Sequence, residues 1–432
     1  MSGVFYRSPV KAYPTISHGR GVFLWDTDGR EYLDGSSGAL VVNIGHGRTE
    51  VAEAMAEQAS RVAFAHTARF TSEAQERLGA LIARRLEPET YFTYLVSGGG
   101  EATETAIKLA RQYHLERGQA KKVKVMARWA SYHGNTLGAL AASGHLARRR
   151  PYEPLLANQV FVHFEGAVPH SPDSACLCLA HLEARIQQEN PETISALILE
   201  VVGGSALSGF VPHPGYLKGV EQLCRRYDIL LIVDEVMTGM GRTGDWWAHR
   251  AEGVRPDMMT LAKGLASGYS PLGAVVAHET VWETIRHGSG TFAHGFTFSG
   301  NPVSAAAGVK VMEIMEAEDL VRRGQEQGRV LAQTLERLKD ESPLIESVRG
   351  RGLMQALVLK PVPGRPGAVA QGLGDDAFQH GLIIYPGNGS SGSTEGDHLL
   401  VAPPLTVSVA EIAELGERLL ASLKRVQESV SL

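Results

Sequence analysis

Cysteine is scarce: three in 432 residues, at Cys176, Cys178 and Cys224. An odd number without a paired spacing excludes a disulfide framework and argues for a reducing compartment, so a cytoplasmic protein is expected. Cys176 and Cys178 form a CxC, with His163 and His181 on either side. That spacing fits no standard zinc pattern, and no metal site is assigned. No run of about 18 apolar residues occurs, so no membrane span is expected. The N-terminus lacks the charged-then-apolar pattern of a signal peptide. Charge of one sign is not in excess: the net charge is -5, and no nucleic acid is expected as partner. The only dense basic run, Arg148–Arg150, sits beside Pro151 and reads as a solvated loop. No internal repeat is present.

What is present is the composition of an ordinary globular chain, long enough for a large core and two domains. It is organised around residues 230–265. Ile229–Val233 is an apolar, β-branched run of strand length with no polar face, which suits a central strand of a parallel sheet. Asp234 and Glu235 follow it directly, beyond the carboxyl end where ligands bind in open α/β sheets. Lys263 ends a second strand-like run, Met258–Ala262, and Gly264 follows it. A lysine at a buried strand end must be neutralised, paired or covalently used. Desolvation lowers its pKa and makes it a nucleophile able to form a Schiff base. A lysine and a carboxylate at neighbouring strand ends are what pyridoxal phosphate needs. A strand-end salt bridge between Asp234 and Lys263 would look the same, and the rest of the chain has to decide.

Before this stretch, GVFLWDTDGREYLDG reads as a hairpin turning at Asp28-Gly29. A helix starts after Thr49 as cap, and another runs over 72–86 with Ser72 as N-cap and Glu73–Arg77 as a supporting pair. Strand 91–96 leads through Gly98-Gly99-Gly100 into a helix that stops at Gly118. A glycine-rich loop feeding a helix N-terminus is a ready anion site. Its spacing is neither a dinucleotide fingerprint nor a Walker loop. VKVMAR, VFVHFE, ALILEVV, LLIVDEV, DMMTLA and GAVVAH then alternate with helical patterns such as Ser174–Glu189 and Pro214–Tyr227. This is the signature of an α/β domain with a mostly parallel sheet. After about residue 312 come a long polar helix, Asp319–Lys339, a strand pair in VRGRGLMQALVL, a Gly/Ser-rich loop and a closing helix. The expected organisation is an N-terminal segment of a small α+β domain (1–55), a large domain (56–311) and the C-terminal part of the small domain (312–432).

Taken together, LWDTDGREYLDG, NIGHG, GGGEATETAIKLAR, SYHGNT, LILEVVGG, VDEVMTGMGRTG, TLAKGLASGYSPLGAV, GFTFSGNPVSAAAG, RGRGL and APPL resemble the class III aminotransferases of fold type I, in the ω-amino acid:pyruvate and ornithine/4-aminobutyrate branch. The resemblance covers nearly the whole chain, and it sets the salt-bridge reading aside. It implies pyridoxal phosphate as cofactor and transamination from an amine or ω-amino acid to a keto acid, with pyruvate the expected acceptor. Lys263 matches the lysine that holds the cofactor and shuttles the proton. Asp234 matches the acid on the pyridine nitrogen, and Tyr132 the aromatic stacked on the ring, with His133 beside it among the cofactor contacts. Gly99 and Gly100 match the phosphate loop; serine is frequent in the family at position 100, so a hydroxyl donor is lost. Val236 matches the residue under the ring. Glu200 matches a glutamate that props the site. Thr297 matches the threonine that reaches the neighbouring subunit's phosphate, which implies a homodimer or dimer of dimers with shared sites.

The departures concern substrate. The arginine before APPL and its glutamate gate are replaced by Leu400 and Ser205, and the mobile arginine of the amine branch aligns with Tyr385, followed by a long loop over 386–397. Leu40, Tyr385 and Ser205 are the pocket candidates, with His66–Phe70 and Phe5–Tyr6 as further walls. A carboxylate substrate needs a cation or N–H donors, and neither family arginine is in place. A class III decarboxylase or aminomutase would use the same site, and a cofactor-binding protein without turnover is the reading outside enzymes.

Overall fold

The computed structural model describes residues 3–165, 174–360, 367–388 and 397–430. Seven strands form the central sheet, in the order Tyr91–Val96, Gly273–His278, Met258–Leu261, Leu230–Asp234, Ile194–Glu200, Lys124–Arg128, Phe161–Phe164. Gly273–His278 runs antiparallel to both neighbours, and the remaining strands are parallel. Ile194–Glu200 and Leu230–Asp234 are buried at every position. Alternate side chains part to opposite cores. Leu197, Leu199, Leu231 and Val233 pack on one side, and Ala196, Ile198, Leu230 and Ile232 on the other. That is the period of two of a strand covered on both faces, and each fully buried Leu or Ile contributes about 1.5–3 kcal/mol.

The helices that cover the sheet start and stop where local chemistry directs. Ser72 Oγ accepts from the Gln75 amide at 3.2 Å and caps Glu73–Arg84. The expected Glu73–Arg77 pair does not form. Glu73 pairs with Arg61 and Arg77 with Glu313. An exposed pair on one helix is worth only about 0.2–0.5 kcal/mol, so partners on other helices displace it. Thr49 is the first residue of its helix and Arg48 takes the cap position. Helix Gly99–Glu116 ends before Gly118, which adopts φ +72°.

The two ends of the chain meet. Strands Ile16–Arg20, Phe23–Asp26 and Glu31–Asp34 form an antiparallel meander, and Leu382–Ile383 joins it in parallel beside Glu31–Asp34. An antiparallel sheet follows the order Ile345–Arg351, Met354–Leu359, Asp397–Val401, Tyr385–Asn388. The expected loop over 386–397 therefore opens as strand, and 389–396 lie outside the described residues. The expected divisions at 55/56 and 311/312 fall inside the continuous helices Thr49–Arg61 and Pro302–Ala317. A helix is one hydrogen-bonded rod, so we place the divisions at the ends of those helices. One apolar core runs on from Leu78 and Leu261 to Leu357, Leu399 and Leu419.

Candidate active site

The parallel strands open on one edge of the sheet, and a cavity of about 560 Å³ lies at their carboxyl ends. Each strand delivers a piece of its wall. Tyr91–Val96 leads to Gly99 and Gly100, and Lys124–Arg128 to Tyr132 and His133. Ile194–Glu200 ends on Glu200, and Leu230–Asp234 on Asp234 with Val236 just beyond. Met258–Leu261 leads to Lys263.

Asp234 and Lys263 sit on adjacent strands yet form no ion pair with each other. Asp234 accepts from His133 Nδ1 at 2.7 Å and from the Val236 amide at 3.0 Å. Lys263 Nζ donates to the Ala39 carbonyl at 2.9 Å. Lys263 is held at φ +45°, left-handed backbone that a non-glycine residue adopts only when its surroundings impose it. Desolvation pushes the Lys263 ammonium down to about 8. The charges of Arg148 and Arg242 act in the same direction, against Asp234 and Glu200. Glu200 is buried, which pushes its carboxyl above the usual range. It accepts from the Gly204 amide at 2.9 Å and the Tyr132 amide at 3.3 Å, tying two loops to one strand end.

The other sequence candidates do not line this cavity. Thr297 is exposed on the surface of the chain. Leu40 is buried in the apolar cluster that also holds Val201 and Leu400. Ser205 is buried and its Oγ has no hydrogen-bond partner among the described residues. Tyr385 packs against that same cluster, half-buried. Phe64 packs edge-on to both His66 and Phe298, and neither Phe64 nor His66 lines the cavity. The CxC motif cannot be followed, since the Cys176 side chain lies outside the described residues; His163 stacks on Trp129 at 4.2 Å.

One basic run needs correction. Arg148–Arg150 is not a solvated loop. Arg149 is buried, and its guanidinium donates to the carbonyls of Ala141 at 2.7 Å and Ser143 at 2.8 Å. Arg148 lies over the Tyr132 ring, with Cζ 4.3 Å from the centroid. Composition alone does not separate a surface triplet from one folded onto carbonyls. Sequence reading also missed Arg242. It is fully buried, pushed down to about 9 by desolvation, and donates to Ser37, Asn43 and the Pro403 carbonyl.

Residues 6–423 match the aminotransferase class-III family. The chain belongs to the class III aminotransferases. It resembles the uncharacterized aminotransferase YodT of Bacillus subtilis, at 37% identity over 418 residues, 94% of this chain and 93% of that one. The putrescine–pyruvate aminotransferase of Pseudomonas aeruginosa is 32% identical over 413 residues, 93% of this chain and 88% of that one. The crystal structure of a thermostable (S)-enantioselective ω-transaminase from Thermomicrobium roseum superposes with a TM-score of 0.90 at 36% identity, covering 98% of this chain and 96% of that one. The aminotransferase is an enzyme of the pyridoxal-phosphate-dependent fold type I, with the mostly parallel sheet that the sequence led us to expect.

The residues of this aminotransferase fit that cofactor. Helix Gly99–Glu116 has no side-chain cap at its N-terminus, so its first amides and its positive dipole end are free for a phosphate. A Cβ on Gly99 would come within 3.2 Å of Val236 Cγ1, so a side chain there would press on the residue across the cavity. His133 Nε2 is buried without a partner among the described residues, while its Nδ1–H orients Asp234. An amine, a fixed carboxylate, an aromatic ring and an anion cradle thus share one cavity.

Proposed function

We propose that this aminotransferase moves an amino group from a primary amine or ω-amino compound to pyruvate, by a two-stage exchange in which amine and keto acid use the site in turn. The observation that carries the reading is the pair of strand ends. Lys263 Nζ and the Asp234 carboxylate line one cavity without neutralising each other. Bound pyridoxal phosphate supplies an electron sink for the carbon whose bond to nitrogen is remade. Lys263 is the cofactor-holding amine and the proton carrier. Its low pKa leaves a sizeable share of the amine neutral near pH 8. Asp234, held by His133 and the Val236 amide, presents a fixed negative charge to a protonated ring nitrogen. Tyr132 and Val236 take the two faces of the ring, and Gly99 and Gly100 hold the phosphate. Glu200 fixes the two loops that carry Tyr132 and Gly204.

The acceptor assignment draws on the pyruvate in the name of the Pseudomonas aeruginosa relative and on Leu400 and Ser205 standing where the ornithine/4-aminobutyrate branch carries its arginine and glutamate. The working unit is a dimer. Thr297 is exposed beside Phe298, which is 61% exposed, and Phe298 packs on Phe64, itself 42% exposed. Such an apolar surface beside a phosphate-binding threonine suits a partner subunit. The Phe64–Phe70 segment would then wall the partner's site. Cys178 and Cys224 are buried and outside any disulfide, in keeping with a cytoplasmic enzyme.

The test is the visible spectrum of the purified holoenzyme. Addition of 1-phenylethylamine should bleach the absorbance above 400 nm (about the range of a conjugated imine), and pyruvate should restore it. A band that ignores the amine and bleaches only with amino acids would overturn the amine assignment.

A further inference from the structure

Where the family's two arginines would stand, this chain has Leu400 and Tyr385. The structure makes them cross-strand neighbours: Tyr385 pairs with Leu400, Leu400 with Ala356, and Ala356 with Arg349. Directly paired residues share a face of the sheet. That face meets the loop after Glu200, since a Cβ on Gly209 would lie 3.1 Å from the Ala356 Cβ. It also packs into the cluster that contains Leu40, Val202 and Met237, and Met237 lines the cavity. From the other side comes the short helix Leu146–Arg149. Arg148 lies over the Tyr132 ring at 4.3 Å, and its Nη2 donates to Tyr385 Oη at 3.2 Å. One arginine thus bridges the cavity wall and the small sheet.

Among the described residues no carboxylate forms an ion pair with Arg148, whereas neighbouring Arg149 pairs with Glu153. A guanidinium carries five N–H donors, and one is engaged by Tyr385. His145 stands edge-on to Tyr132 at 6.5 Å, and burial, with the charge of Arg148 adding to it, holds its imidazole down to about 4. The same charge reaches Lys263. Ser205 Oγ, 5% exposed, is a further donor without a partner among the described residues. Among the described residues this half-buried cation beside a neutral imidazole is left without a carboxylate partner.

We propose that Arg148 is the carboxylate-binding residue of this aminotransferase, positioned by Tyr385 Oη and the Tyr132 ring. The ligand class is the carboxylate of the keto acid acceptor, taken on the free guanidinium edge as a fork of two N–H donors. The assignment rests on the functional reading above. It puts the cation on the large domain, in a stretch where the family's two arginines do not lie. An amine without a carboxylate has no use for it, so the two half-reactions should part company when it is removed.

The experiment compares wild-type holoenzyme with Arg148→Gln, Arg148→Lys and Tyr385→Phe. Stopped-flow absorbance follows each half-reaction, with 1-phenylethylamine and with pyruvate, and calorimetry measures propionate binding. Arg148→Gln should weaken the apparent affinity for pyruvate and for propionate by roughly 10- to 100-fold, the loss of charged hydrogen bonds, with the amine constants moving by less than about threefold. Arg148→Lys should recover part of the loss, and Tyr385→Phe should show a smaller one in the same direction. Equal losses in both half-reactions would make Arg148 a mere prop for Tyr132 and overturn the assignment. Unchanged propionate and pyruvate affinities would overturn it too. Should Arg148→Gln not hold cofactor, Arg148→Lys and Tyr385→Phe still decide by the same ratio. If wild type ignores both amine and pyruvate, the functional reading falls, while propionate binding lost in Arg148→Gln would still uphold the carboxylate site.

Discussion

The two ends of the active site are built differently. At the cofactor end, Asp234, Glu200 and Lys263 stand on or just beyond the carboxyl ends of strands whose every side chain is buried. Their polar atoms are spoken for: Asp234 by His133 and the Val236 amide, Glu200 by two amides, Lys263 by the Ala39 carbonyl. At the end where we place the substrate carboxylate, Arg148 comes from a four-residue helix, Tyr385 and Leu400 from the small sheet, and Ser205 from a loop. There, among the described residues, Ser205 Oγ has no hydrogen-bond partner and Arg148 no carboxylate. A rigid, satisfied end holds the chemistry shared by the family, and an end assembled from separate loops and domains is free to vary its ligand.

If that contrast is real, damage at the cofactor end should be large and indifferent to substrate. Lys263→Ala should lower turnover at least about a thousandfold, since the amine we assign to hold the cofactor and move the proton is gone. Borohydride reduction followed by mass spectrometry should then show no cofactor adduct on the variant. Asp234→Asn should lower kcat by roughly 10²–10³-fold for every amine tried, the scale of a removed preorganised charge. A loss confined to one substrate class would break the comparison.

The charge on Lys263 supplies a milder probe. Its ammonium titrates near 10.5 when unfolded and near 8 in the folded apoprotein. Between those values the unfolded chain keeps a proton that the folded chain has released, so the apoprotein gains stability as pH rises through that window. Below it the penalty for the buried charge is present in full. Urea unfolding of apo Lys263→Met should therefore show a variant more stable than wild type below pH 8, with a difference that shrinks toward pH 10.5. A difference independent of pH would show that Lys263 is not desolvated. The smallest effect belongs to the substrate end. Ser205 Oγ has no partner among the described residues, so Ser205→Ala should change the unfolding free energy by less than about 0.5 kcal/mol. A loss of 1–2 kcal/mol or so would mean that the hydroxyl is engaged after all.

Much of the cofactor end was legible in the sequence because it follows local rules. An apolar run of strand length ends in an acid, a second ends in a lysine, and three glycines precede a helix. Each maps onto one element and one strand end. The substrate end follows no such rule. Arg148 sits in a basic triplet whose three members meet three fates: half-buried on Tyr132, buried on carbonyls, and exposed. Arg242 reads as part of a glycine-rich turn, yet it joins Ser37, Asn43 and Pro403 across the molecule. The exposed Glu73–Arg77 spacing was correct for a pair, but residues on other helices won.

By itself, then, the sequence determined the strands, the order of the α/β units, the lysine, acid and glycine loop of the cofactor end, and the family. These depend on side-chain period and turn chemistry within a few residues. Only the tertiary structure brings together the side chains we propose in place of the missing arginines. Tyr385 reaches Arg148 across 237 positions of sequence. No local pattern encodes that meeting. It follows from how the C-terminal sheet packs against the loops at the edge of the large one, where burial of apolar faces sets the distance and the polar groups take the partners they find.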